Sequence, residues 1–223
     1  MGVRAAGADA KETARGGRRG GRPSRAEAER LGERILDAAT EAFLHEGYGG
    51  TSIEAIAKRA RISKRTFYSR FENKPALFGA VVHRVVERLR PPDPAGMFEG
   101  GTLEEILERL ARYILRAALT PQALALHRVI LAEATRFPEL AAVVAEQGGG
   151  REAVQRIAAL LERERATGGI GIADTIFAAT QFLQMVVAAP QRRALGMGPP
   201  MSEAEIDRWA AGSVRLFLRG CRG

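Results

Sequence analysis

Cysteine and histidine are scarce in this chain: one thiol, Cys221, and three imidazoles, His45, His83 and His127. A lone cysteine excludes a disulfide framework and a cysteine-based zinc site. No two histidines lie closer than 38 residues, so no HExxH-type metal helix exists, and neither a metal nor a cofactor is expected. Long apolar runs are missing too. The longest uncharged stretch, 175–191, has 17 residues and includes Thr180, Gln181 and Gln184, whereas a membrane helix needs about 20 mostly apolar residues. It reads as a buried helix. The first 30 residues contain no apolar segment of signal-peptide length, so a cytoplasmic protein without membrane contact is expected. Motifs of catalysis are absent as well: there is no GxSxG elbow and no P-loop, and Gly148-Gly149-Gly150 follows no strand that would make it a phosphate cradle. No catalytic residue is assigned, and an enzyme is not expected, although an all-α enzyme with residues scattered along the chain stays open.

What is present is ordinary globular material with an uneven charge. Of 223 residues, 46% are hydrophobic and 27% charged, enough to bury a sizeable core. The net charge of +8 falls entirely in residues 1–90, which hold 19 Lys/Arg against 11 Asp/Glu; residues 91–223 hold 15 of each. A basic excess confined to one segment fits nucleic-acid binding, or else a solubilising tail. Pro91-Pro92-Asp93-Pro94 marks a boundary between the two parts. Residues 1–28 form a Gly-, Ala- and Arg-rich arm expected to be disordered when free. Within it, Arg18-Arg19-Gly20-Gly21-Arg22-Pro23 resembles an AT-hook core with an extra glycine. Arg19 and Arg22 are therefore candidate minor-groove contacts, beside the plainer reading of a basic tail.

Helical periodicity runs through the rest, and no alternating strand pattern competes, so the fold is expected to be all-α. Leu31, Ile35, Ala38, Ala39, Ala42 and Phe43 mark a first helix that Gly47 stops. Thr51-Ser52-Ile53-Glu54 reads as a capping box for a second, to about Arg59. Ser63 caps a third, to about Arg70, and Asn73-Lys74-Pro75 opens a fourth that runs to Leu89. Beyond the prolines, Thr102-Leu103-Glu104-Glu105 and Thr120-Pro121 open two more. A short segment at 138–147 and helices near 151–166 and 172–189 follow, and Ser202-Glu203-Ala204-Glu205 caps the last.

The two short helices at 52–59 and 63–70, joined by Ala60-Arg61-Ile62, have helix-turn-helix dimensions. At 100° per residue, Phe67 and Phe71 mark the buried side of the second, and Ser69 points away from it with Arg65 and Thr66 nearby. Such a helix suits the major groove. Arg65 can take a guanine bidentately, and Thr66 offers a hydroxyl and a methyl. Lys64, Tyr68 and Lys74 suit phosphates. The competing reading is a surface helix with an incidental basic face.

These residues carry a resemblance. Ile35-Leu36-Asp37-Ala38-Ala39, Phe43, Gly47-Tyr48, Thr51-Ser52-Ile53, Ile56-Ala57 and the run 63–74 ending at Leu77 are similar in order and spacing to the DNA-binding domain of the TetR family of bacterial regulators. The resemblance covers about residues 31–80. It implies a three-helix DNA-binding head at 29–75, with Thr51 among its contacts, and a helical effector-binding and dimerising body at 76–223. It also implies a homodimeric repressor on a palindromic operator in double-stranded DNA, released by a small-molecule effector. A non-specific architectural DNA-binding protein is the alternative. One departure stands out: the turn carries Arg61 where the family usually has glycine, so this residue must accept a strained backbone or an altered turn, and it is itself a candidate phosphate contact. His127-Arg128-Val129-Ile130-Leu131-Ala132-Glu133 and Phe137-Pro138-Glu139-Leu140 resemble the C-terminal domain of AefR-like members.

For the body, the resemblance implies that the apolar helix bearing Phe177, Phe182 and Met185 and the last helix, with Trp209, Val214 and Phe217, pair across a two-fold axis. The same pattern also fits ordinary monomer core. Tyr113, His127, Gln181 and Gln184 are polar groups on mostly apolar helices, readable as effector contacts or as satisfied structural residues.

Overall fold

Side-chain caps divide the chain into its helices. Ser24, Ser52, Ser63, Asn73, Thr102, Thr120 and Asp174 each accept a backbone N–H from the first turn that follows, an interaction that contributes about 1 kcal/mol. The computed structural model describes residues 24–221. These form α1 (Arg25–Gly50), α2 (Ile53–Arg59), α3 (Lys64–Tyr68), α4 (Lys74–Arg88), α5 (Leu103–Ala118), α6 (Pro121–Glu133), α7 (Glu139–Gln147), α8 (Gly150–Ala166), α9 (Thr175–Arg192) and α10 (Glu203–Cys221). No strand occurs among the described residues, as the periodicity predicts. Arg19 and Arg22 lie outside them. Residues 25–28, assigned to the arm on composition, are instead the first turn of α1, because Ser24 and Glu27 form a reciprocal capping box there.

Of two further boundaries, one agrees with expectation and one differs. Gly47 does break the course of α1, at φ 75, and a Cβ there would meet Glu133 Oε1 at 2.9 Å. The cap of α2, however, is Ser52 alone, whose Oγ accepts from Ala55 N–H; Glu54 stands one position short of the N3 site that a capping box needs, and its carboxylate is paired with Lys64.

The helices enclose two apolar cores. The first joins α1–α4 to α6 and α7: Phe43, Tyr48 and Phe78 pack ring to ring with centroids 5.2–5.7 Å apart, and Leu126, Val129 and Leu140 complete it. Across its edge, the buried Arg84 guanidinium of α4 reaches Asp37 at 2.8 Å and Thr40 at 2.6 Å on α1. The second core lies among α5, α8, α9 and α10, around Leu107, Leu115, Ile157, Phe182 and Val214. At the α7–α8 junction, Gly149 sits at φ 71, and a Cβ would press on Val86 Cγ1 at 2.9 Å.

Candidate DNA-reading helix and ligand cavity

The turn between α2 and α3 is a Schellman motif. Arg61 N–H donates to Lys58 O at 3.1 Å and Ile62 N–H to Ala57 O at 2.9 Å, which requires Arg61 to be left-handed at φ 55, the one such non-glycine among the described residues. The strain anticipated from its sequence position is therefore real, and the Arg61 side chain is exposed.

Phe67 is fully buried, and its ring lies 5.7 Å from that of Phe71; this fixes the rotation of α3. Lys64, Arg65, Tyr68 and Ser69 then face solvent, with Thr66 half-buried. Tyr68 is a large side chain left 52% exposed. Lys64 is held by Glu54 at 2.5 Å, and that hydrogen bond and charge raise its pKa. The hydroxyls are occupied locally: Thr66 Oγ1 lies 2.9 Å from Ser63 Oγ, and Ser69 Oγ donates to Thr66 O at 2.8 Å. Arg65 makes no ion pair among the described residues, and its guanidinium stands ready for an outside acceptor.

Two residues of the predicted interface sit elsewhere. Thr51 is a correction: it is buried, and its hydroxyl donates to Gly47 O at 2.7 Å, tying off the end of α1. Lys74 is turned onto the Tyr48 ring, 4.3 Å from its centroid; burial lowers its pKa, against the opposing charges of Glu133 and Glu139. This lysine belongs to a joint between head and body. There Glu133, at the end of α6, accepts from Gly49 N–H at 3.0 Å, and Phe137 meets Tyr48 edge-on at 5.0 Å. Burial and neighbouring Glu139 push the Tyr48 phenol up to about 12. The sequence singled out neither Glu133 nor this joint, since its partners are more than 80 residues apart.

Behind the joint, helices α4–α9 surround a cavity of about 690 Å³, within the size range of small-molecule sites. Tyr113, His127 and Gln184 line it, Gln184 from an exposed position. The Tyr113 hydroxyl donates to Leu89 O, and burial lowers the His127 pKa, keeping its imidazole neutral. Gln181 is a correction: one helical turn from Gln184, it is exposed and outside the cavity. Pro91, Pro94, Met97 and Phe98 close one side, so the segment after the prolines is wall as well as connection.

The predicted dimer residues separate by depth. Phe182 and Val214 are fully buried and Phe217 nearly so, with the Phe182 and Phe217 rings 5.1 Å apart; these three are protomer core, which corrects their assignment to an interface. Met185 and Trp209 are half-buried, and Trp209 Nε1 donates to Val186 O at 2.9 Å. Phe177 is 61% exposed, alongside Ile176 on the same helix and Leu216 of α10.

A helix-turn-helix with an outward arginine, joined to a helical body with an open, largely apolar cavity, defines a DNA-binding transcriptional regulator. Comparison with known proteins agrees. Residues 35–81 match the family model of bacterial regulatory proteins of the tetR family, and residues 105–220 match the C-terminal domain of AefR-like transcriptional repressors. A TetR-family regulator of Mesorhizobium loti MAFF303099 is 32% identical, with a TM-score of 0.71 over 88% of this chain and 98% of its own. The flavonoid-responsive regulator FrrA is likewise 32% identical, with a TM-score of 0.72 over 87% and 98%. The regulator UidR of Escherichia coli (strain K12) is 32% identical over 122 residues, 53% of this chain and 59% of UidR, so the match spans only about three fifths of that relative. The chain belongs to the TetR family. No helix among the described residues is long and apolar enough to cross a membrane.

Proposed function

We propose that the protein is a homodimeric repressor that reads a palindromic operator with α3 and leaves it when a small molecule fills the cavity. The observation that carries this reading is that one helix belongs to both sites: α6 lines the cavity with Leu126 and His127 and ends on Glu133, which holds the backbone of the head at Gly49. A ligand that fits a displaced α6 better than the resting one weakens DNA binding by that difference in affinity, and by no more. The α4 helix joins head to body as a second lever. Arg65 reads a base edge; Lys64, on leaving Glu54, and Arg61, Tyr68 and Ser69 hold phosphates, with Thr66 on either. Arg19 and Arg22 add minor-groove contacts from the arm. The outward apolar residues Ile176, Phe177 and Leu216 face the second protomer, with Met185 and Trp209 at the edge.

FrrA's name carries a flavonoid response. A planar polyphenol held here would find aromatic faces only at Phe98, Tyr113 and His127, in a lining otherwise made of aliphatic, amide and charged side chains.

Selection of bound sequences from random duplex DNA at two salt concentrations tests the core of the reading. A palindrome enriched at the higher salt is expected. Salt-sensitive binding with no motif would mean counterion release alone, and the architectural alternative would take its place.

A further inference from the structure

We infer that the cavity takes an amphipathic anion, an aliphatic body inside with one carboxylate at a guanidinium-lined end. This rests on the sensor reading above and narrows it. The wall is dominated by branched side chains, among them Val85, Leu110, Ile114, Leu126, Ile157 and Val187, which suit a flexible hydrocarbon. The uncharged polar groups among them are few: the Tyr113 hydroxyl is spent on Leu89 O, His127 offers one donor and one acceptor, and Gln184 and Gln191 add neutral amides. Charge lines the cavity at Arg90, Glu152, Arg156 and Arg192. Both oxygens of Glu152 are taken, one by Arg90 at 2.5 Å and the other by Arg156 at 2.8 Å. Arg90 is also engaged by Glu87 at 2.6 Å, whereas Arg192 forms no ion pair among the described residues.

The inventory is one-sided. A guanidinium has five N–H donors and no acceptor, so Arg156, beside a carboxylate already engaged on both oxygens, and the unpaired Arg192, both exposed at the cavity wall, leave spare donors. A ligand whose polar end accepts hydrogen bonds completes that set, and a carboxylate does so with charge-assisted, fork-shaped pairing. A cationic ligand would meet the guanidiniums with like charge, and a neutral one would leave their donors to water.

Calorimetric titration of the full-length protein with dodecanoate, dodecan-1-ol and the flavonoid naringenin tests this, each followed by an operator-affinity measurement. Dodecanoate is expected to bind once per chain, about tenfold or more tighter than the alcohol, the usual worth of a hydrogen bond to a charged group. The double substitution Arg156→Gln with Arg192→Gln should weaken dodecanoate about tenfold and leave the alcohol unchanged. Ala117→Trp, or Ala118→Trp if the first does not fold, should abolish both by filling the cavity. Equal binding of acid and alcohol, equal loss of both in the glutamine variant, or binding that survives cavity filling would each overturn the inference. So would naringenin binding without dodecanoate, which leaves the sensor reading intact. Dodecanoate bound as expected with no change in operator affinity supports the ligand class and removes the sensor reading, so the two failures are distinct.

Discussion

Arg61 combines a strained backbone with an exposed cation. Its backbone is left-handed at φ 55, a region that costs an L-residue roughly 1–2 kcal/mol, while its guanidinium is exposed beside the DNA-reading helix. Replacing it with glycine should leave stability unchanged or raise it by up to about 1 kcal/mol, glycine's own entropy offsetting part of the relief. The same variant should lower the salt dependence of DNA binding by about one counterion, measured as the slope of log affinity against log salt. An unchanged slope would remove Arg61 from the phosphate contacts. Arg65→Ala should behave differently, losing about 1–3 kcal/mol on the selected operator and relaxing preference at one base pair per half-site; a uniform loss across all sequences would make Arg65 a phosphate contact. His127 gives a pH signature. Burial holds its folded pKa below the ordinary value of 6.5, so below that pH the unfolded chain binds a proton that the folded one refuses. Its stabilising share is complete above 6.5 and is lost as pH falls from there through the lowered folded value. In urea titrations above and below this window, His127→Gln should lose less stability on acidification than the parent protein. An equal loss would place the acid sensitivity elsewhere.

Helices α1 and α6 meet end to side, and the Glu133 carboxylate is the polar link between them. The chain opens at Gly47 and keeps Gly49 small, and Cβ atoms at these positions would come within 2.9 Å and 3.2 Å of Glu133 oxygens. A joint so closely fitted transmits displacement, because packed surfaces shift as units. Glu133→Ala strips the acceptor from a part-buried N–H and should cost about 1–2 kcal/mol of stability. The more telling readout is coupling: the variant should keep most of its operator affinity without effector and respond less to effector. A full response would shift the transmission to α4. Arg84, which ties α4 to α1 through Asp37 and Thr40, supports that second route as a rigid contact.

For the molecule as a whole, the exposed Ile176, Phe177 and Leu216 lie on the packed pair α9 and α10. Apolar side chains left at 52–64% exposure on a face of adjacent helices fit a self-complementary surface. Phe177→Asp with Leu216→Asp should yield a folded monomer by sedimentation, because neither side chain belongs to the protomer core, and operator affinity should fall steeply as two half-sites cease to be read together. A variant that still sediments as a dimer would move the two-fold axis to another surface.

Local chemistry settled much of this protein in advance. Caps at Ser63, Asn73, Thr102 and Thr120, the stop at Gly47 and the Phe67/Phe71 spacing were legible because each depends on neighbours within a few residues; at Arg61 only the resemblance to a family with glycine there pointed to a strained or altered turn. The cavity residues Tyr113, His127 and Gln184 were legible as polar groups on apolar helices, though periodicity could not tell them from Gln181. Depth was decided by tertiary packing. Phe177 and Phe182 look alike along the chain, yet one faces solvent and the other fills the core, because helix rotation is fixed by neighbours from α5, α8 and α10. Thr51 turned inward for a local reason that helical periodicity does not show, its hydroxyl donating to Gly47 O at the end of α1. The cavity and the Glu133–Gly49 joint draw on residues far apart in sequence. Their existence follows only from how the helices pack, since sequence periodicity orients each helix without stating what will face it.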